Sequence, residues 1–335
     1  MAPGRVEVRD EAVPAAEAGG IVVRVRVALT DGTDLKAFRR GHTQMPMPTR
    51  FGHEFAGDVA AVGEGVASFA PGDPVMTVHS APDNTCYWCL RGQEELCESV
   101  METKILGAYA EYVAVPPHIV RRNCFHKPAS VSYEAAAFLE PLSCVVHSWQ
   151  LLAPAAGDVV LVIGDGGFGI LHALLARARG ARPVLAGRRA ERLALARSLG
   201  VADTVDARGD VAGAVRALTA GRGADCVVES TGSLDVWEAA PSYVRRGGTV
   251  LLFGGLPGGS RVAFDAARLH YDEVRVVSPF HFTPRAVREA RDVLASHIID
   301  VEPLISGRFS LDGLGEAFRA LAEGGGLNLK YAIVP

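Results

Sequence analysis

Apolar residues recur along this chain in two rhythms. Over residues 1–125 they form short β-branched runs broken by Gly and Pro, such as "IVVRVRVALT", "FAGDVAAVG", "DPVMTVH" and "AYAEYVAV". Runs of this length with regular turn signals predict an irregular β domain. "VSYEAAAFL" at 131–139 reads as a helix, and Pro141 suits the first turn of the next one. From Gly157 the rhythm changes to alternating strand and helix: "DVVLVIG" then "FGILHALLARARG", "PVLAG" then "RAERLALARSLG", "ADCVVEST" then "LDVWEAAPSYV", and last "GGTVLLFGG". Repeated βα units predict a parallel sheet with helices on both faces, so the fold class is α/β. Beyond about residue 275, Thr283 and Pro284 open a helix, another is expected near 312–323, and "LKYAIV" reads as an edge strand.

Composition narrows the class. The chain has 335 residues, room for two domains, with 49% hydrophobic and 21% charged residues. A formal charge of −4 gives no reason to expect nucleic acid or an anionic membrane as partner. Arg5, Glu7, Arg9, Asp10 and Glu11 interrupt any apolar signal core, and the longest apolar runs are strand-sized, so the expected setting is cytoplasmic. Of six cysteines, Cys86, Cys89 and Cys97 cluster, which in a reducing compartment suggests metal more than disulfides. Cys124, Cys144 and Cys226 are scattered and read as small buried apolar residues.

"VLVIGDGGFGILHALLARARG" carries Gly164, Gly166 and Gly169 as G-x-G-x-x-G, with Gly167 and Phe168 inside it. The motif follows an apolar strand and opens a helix, the context that identifies a dinucleotide site with the pyrophosphate at the helix N-terminus. An NAD site places Asp or Glu at the end of the second strand. This chain has Gly187, then Arg188 and Arg189, which would attract a 2′-phosphate; NADP is therefore expected over NAD. The plainer alternative is a solvated helix start that leaves either cofactor usable.

"DNTCYWCLRGQEELC" contains C-x2-C-x7-C, with Asp83 where a four-thiolate zinc lobe would begin. Together with Gly107, "GHE" at 52–54 and "AYAEYVAVP", this order of motifs resembles the zinc-containing branch of the medium-chain dehydrogenase/reductase family over nearly the whole chain. That resemblance implies a GroES-like catalytic domain split around a Rossmann domain, here 1–145 plus 276–335 around 146–275. It implies catalytic zinc ligands at Asp31 (normally Cys), His53 and Glu140, the last as in polyol and threonine dehydrogenases. It further implies Glu54 as a nearby carboxylate, Thr33 as proton relay, and Thr231 and Lys330 at the cofactor, Lys330 on the pyrophosphate. Dimers or tetramers are usual in the family, through Rossmann sheet edges for which "GGTVLLFGG" is the candidate.

Asp at position 31 leaves the ligand charge unchanged, and carboxylate oxygen binds zinc at ~2.0–2.2 Å against ~2.3 Å for a thiolate. The set becomes harder, so discrimination against Mn, Co or Mg ions falls. The lobe reads either as a structural zinc on Asp83, Cys86, Cys89 and Cys97 or as three reduced thiols in an ordered loop. The expected reaction is reversible oxidation of a small-molecule alcohol to a ketone with NADP, in a cleft between the domains, on a polyol, cyclitol or sugar-like substrate. "LHYDE" and "SPFHFTP" make His270, Tyr271 and His281 candidate pocket residues. The alternatives are a glucose-type aldose 1-dehydrogenase and a zinc-free NADPH reductase or non-catalytic NADPH-binding protein.

Overall fold

The β-branched runs become strands and the amphipathic ones helices in the computed structural model, which describes residues 4–41 and 47–335. The chain opens with β1 (Ile21–Leu29), α1 (Gly32–Arg40), β2 (Glu54–Val62), β3 (Pro74–Thr77), β4 (Tyr112–Val115), α2 (Pro117–Asn123), β5 (Cys124–His126), α3 (Tyr133–Ala137) and α4 (Leu139–Leu152). The alternating section gives β6 (Val159–Ile163), α5 (Gly167–Ala178), β7 (Arg182–Gly187), α6 (Ala190–Ser198), β8 (Asp203–Asp206), α7 (Val211–Leu218), β9 (Ala224–Glu229), α8 (Leu234–Ala239), β10 (Val244–Leu252), α9 (Ala266–Tyr271) and β11 (Arg275–Val277). α10 (Pro284–Ala295), β12 (Ile305–Ser310), α11 (Leu314–Glu323) and β13 (Lys330–Val334) close the chain. Two units result: Met1–Ser143 with Phe282–His297 and Val301–Pro335, and Cys144–His281 with Ile298–Asp300.

The first unit is built on a sheet in the order β12-β13-β1-β2-β3-β5, with β4 also paired to β1. β1 and β2 run antiparallel, Leu29 opposite Glu54, and β2 and β3 antiparallel, Phe55 opposite Thr77. The C-terminal "LKYAIV" is no edge strand. β13 lies between β12 and β1, with Leu29 opposite Ala332, because Tyr331, Ala332 and Ile333 are buried apolar residues that belong inside a sheet. Phe38 and Phe318 stack at 5.4 Å and join Phe55, Tyr109 and Ile21 in this unit's core. Each such fully buried side chain contributes about 1.5–3 kcal/mol of transfer free energy.

The second unit is an all-parallel sheet in the order β11-β10-β9-β6-β7-β8. The order reverses beside β6, the topological switch point at which dinucleotides bind in doubly wound folds. β6 is buried along its whole length, as expected of a strand covered on both faces. "GGTVLLFGG" is also interior: β10 sits between β9 and β11, so the short β11 and β8 form the edges and the interface expectation for β10 fails. Thr283 caps α10, accepting from Ala286 N at 3.1 Å, and Pro284 takes the position where no intrahelical donor is needed. No helix among the described residues is long and apolar enough to cross a membrane.

Candidate active site

Strand register in the first unit gathers charged groups at one end of the sheet. Past Leu29 the β1–β13 ladder continues as Thr30 N donating to Tyr331 O at 2.9 Å, which brings Asp31 alongside Lys330, 3.7 Å apart. Glu54 begins β2 opposite Leu29, and His53 precedes it. Asp31, His53, Glu54, Glu140 and Lys330 are all less than a tenth exposed. Lys330 Nζ donates to both Glu54 oxygens at 2.7 Å and to Thr30 O at 3.1 Å. Burial alone would strip its proton, but Glu54 and Asp31 hold its pKa above the ordinary lysine value. Lys330 is thus tied to Glu54 within the first unit.

Asp31 has a second task. It is the N-cap of α1, its Oδ2 accepting from Thr33 N at 2.7 Å. Burial opposes its ionisation, but Lys330, His53 and the Thr33 and Gly32 amides outweigh that and bring its pKa down to about 2. Thr33, the expected proton relay, is half-buried in the first turn, its amide on the Asp31 carboxylate. His53 Nε2 faces Asp31 at 3.8 Å while its Nδ1 faces Asp34 at 3.3 Å. Asp34 is buried and bonded to the Tyr109 hydroxyl, which also reaches Leu29 O at 3.0 Å. An outer carboxylate behind a ligating imidazole is the usual way to fix its tautomer and orientation. Sequence reading missed Asp34, although it stands three residues after Asp31.

Ligand atoms of Asp31, His53 and Glu54 lie within 4.8 Å of one another. The expected set had Glu140 as third ligand and Glu54 beside it; in the structure Glu54 is the carboxylate grouped with Asp31 and His53. Glu140 faces His79 Nδ1 at 3.5 Å, while Lys330 holds Glu54 close to Asp31. Fit to a divalent ion rests on charge. Asp31, Asp34, Glu54 and Glu140 are buried with Lys330 as their lysine counter-charge, an excess that a cation relieves. Without one, His53 compensates: burial works against its proton, but Asp34, Glu140 and Asp31 push its pKa up to about 10. A metal must displace that proton. Apparent zinc affinity therefore rises with pH, by up to about tenfold per unit below pH ~10, and falls on acidification. Chelator competition between pH 6 and 9 checks this; a flat profile would contradict it.

In the lobe, Asp83, Cys86, Cys89 and Cys97 also lie within 4.8 Å of one another, three of them half-buried and Cys97 buried. Asp83 Oδ1 accepts from Thr85 N at 2.7 Å and Cys86 N at 2.9 Å, and its Oδ2 from Ser99 Oγ at 3.0 Å. These amides hold the Asp83 carboxylate well below its usual pKa. The donor set suits a structural zinc, and the aspartate also orders the loop.

The second unit presents the dinucleotide features together. Gly166 caps α5 with no side chain in front of it, since a Cβ there would meet nothing within 4 Å, and Gly167 and Phe168 begin the helix. Phe168 packs on Phe253 at 5.0 Å. Gly169 is obligatory: a Cβ would stand 1.8 Å from Gly164 O. Thr231 follows β9 beside Gly164, its amide on Glu229 at 2.6 Å. At the end of β7 the structure adds Asp165. Its Oδ2 accepts from the Arg188 and Arg189 amides at 2.8 and 2.7 Å, its Oδ1 lies 3.6 Å from the Arg189 guanidinium, and it fills the space beside Gly187, where a Cβ would meet its Cβ at 2.5 Å. The aspartate inside the glycine motif was the available signal. Arg188 lines a cavity of about 250 Å³ with Arg197, Thr204, Asp206 and Arg208. Tyr271 is 80% exposed and lies against the exposed His270, ring centroids 4.7 Å apart. His281 is half-buried, 5.8 Å from Phe280.

Comparison with known proteins agrees with this geometry. Residues 17–127 match the alcohol dehydrogenase GroES-like domain and residues 167–296 the zinc-binding dehydrogenase domain. L-threonine 3-dehydrogenase of Chelativorans sp. is 30% identical over 326 residues, 94% of this chain and 92% of the relative. Sorbitol dehydrogenase of Halalkalibacterium halodurans is 27% identical over 329 residues, 96% and 94% of the two chains. A zinc-binding dehydrogenase of Sinorhizobium meliloti 1021, solved bound to NADP, superposes with a TM-score of 0.90 at 30% identity over 99% of this chain and 96% of that one. With a buried Asp-His-Glu centre in a GroES-like unit and a glycine-rich dinucleotide turn in a Rossmann unit, this chain belongs to the zinc-binding alcohol and polyol dehydrogenases.

Proposed function

We propose that the protein oxidises a secondary alcohol of a polyol, cyclitol or sugar-like substrate to the ketone, reversibly, with NADP as hydride acceptor. The single observation behind this reading is the buried Asp31-His53-Glu54 group, with Glu140 and Lys330 beside it. Zinc held by Asp31 and His53, with Glu54 or Glu140, supplies a Lewis acid that lowers the pKa of the substrate hydroxyl. Asp34 faces the His53 Nδ1, and Lys330 holds the Glu54 carboxylate near Asp31. Thr33 takes the hydroxyl proton toward solvent, its half-exposed place in the first turn suiting a relay. In the second unit α5 offers its N-terminus to the pyrophosphate, and Arg188 with Arg197 supplies positive charge to a cavity suited to a 2′-phosphate, in which Arg208 is paired with Asp206. A relative named sorbitol dehydrogenase supports the polyol class.

The test is a panel of sorbitol, arabitol, myo-inositol, glucose and simple alcohols with NADP and with NAD, before and after zinc removal. Turnover of a polyol or cyclitol with NADP, lost on chelation and restored by zinc, is the expected result. Preference for glucose, or activity indifferent to metal removal, would overturn the reading.

A further inference from the structure

His79 is a buried imidazole in the active-site region to which the sequence motifs assign no role. It follows β3, and the register that pairs Phe55 with Thr77, extended two residues, sets His79 opposite His53. Their rings meet edge to face at 5.1 Å, and the His79 ring makes a second edge contact with Phe282 at 5.6 Å. The backbone is tied as well: Ile105 N donates to His79 O at 2.8 Å, and Asn123 Nδ2 donates to the next carbonyl, Ser80 O, at 2.8 Å. These contacts hold the plane of the imidazole, and its Nδ1 lies 3.5 Å from Glu140 Oε1. Glu140 is 5% exposed and lies beside the Asp31-His53-Glu54 group.

We propose that His79 is a positioning residue of the metal centre: through Nδ1 it sets where the Glu140 carboxylate stands, and thereby how many carboxylates the ion can draw on. The inference rests on the metal-centre reading given under Proposed function. Partners of this kind behind metal ligands are worth about 10–100-fold in metal affinity. Because the interaction uses Nδ1, asparagine can reproduce it and glutamine, whose amide matches Nε2, cannot.

The experiment is cobalt substitution and zinc-chelator competition on the full-length protein, wild type against His79→Asn, His79→Gln, Glu140→Gln and the Gln/Gln double variant. The cobalt spectrum of Asp31→Ala is subtracted to isolate this centre from the cysteine lobe. Expected are a tenfold or greater loss of affinity and an altered cobalt d–d spectrum in His79→Gln, near wild-type behaviour in His79→Asn, and no further loss when His79→Gln is added to Glu140→Gln. Wild-type affinity and spectrum in both His79 variants would overturn the proposal, as would equal losses in both or additive losses in the double variant. If the wild-type protein takes no cobalt that Asp31→Ala lacks, the metal-centre reading itself fails, a result separate from any difference among the His79 variants.

Discussion

Asp31→Ala lowers kcat by about 10³-fold or more while dinucleotide binding by the Rossmann unit persists. A bound ion contributes several kcal/mol to stabilising the developing alkoxide, and each 1.36 kcal/mol is tenfold in rate. The same change removes the N-cap of α1, at a cost of about 1 kcal/mol to stability. Asp31→Asn separates the two losses: its amide oxygen still caps Thr33 N, so thermal stability stays near wild type, but the lost charge releases the metal and the activity. Asp31→Cys makes the opposite exchange. It restores a thiolate that favours zinc over manganese or magnesium and gives up most of the cap. Metal content, melting temperature and kcat for the three variants form the test; full turnover in Asp31→Ala would end the ligand assignment.

Arg188→Ala lowers kcat/KM with NADP by roughly 10- to 100-fold and leaves NAD nearly unaffected. Hydrogen bonds to a charged group are worth about 1.5–3 kcal/mol. Arg189→Ala has the smaller effect, because its guanidinium lies 3.6 Å from Asp165 and is partly neutralised, whereas Arg188 lines the basic cavity. Equal kcat/KM for NADP and NAD in the wild type, or a larger loss in Arg189→Ala, would contradict this.

What could be read in the sequence was mostly local pattern. The glycine turn and the alternating βα units are set by neighbouring residues, and each forms the element expected. What could not be read depends on pairing across the sheet. Lys330 stands beside Asp31 only because β13 enters between β12 and β1, and nothing in "LKYAIV" distinguishes that strand from an edge. His79 is one histidine in an apolar run until the β2–β3 register sets it against His53. The partners of Glu54 and Glu140 were hidden for the same reason, Lys330 facing one and His79 the other. Asp34 and Asp165 were local and still missed, since an aspartate beside a motif has no signature until its acceptors and donors are seen.

The contact between Asp165 and Gly187 bears on how cofactor preference could evolve. A carboxylate at position 187 is the simplest change that would favour the ribose hydroxyls of NAD. Here that single step is closed, because its Cβ would arrive 2.5 Å from the Cβ of Asp165. Residue 165 would first have to shrink, and in doing so would release the Arg188 and Arg189 amides it holds. Acquiring a carboxylate at position 187 therefore has to cross an intermediate in which the end of β7 is loosened and neither carboxylate is in place. Positions 165 and 187 form an epistatic pair, and the order in which they change decides whether the path is open.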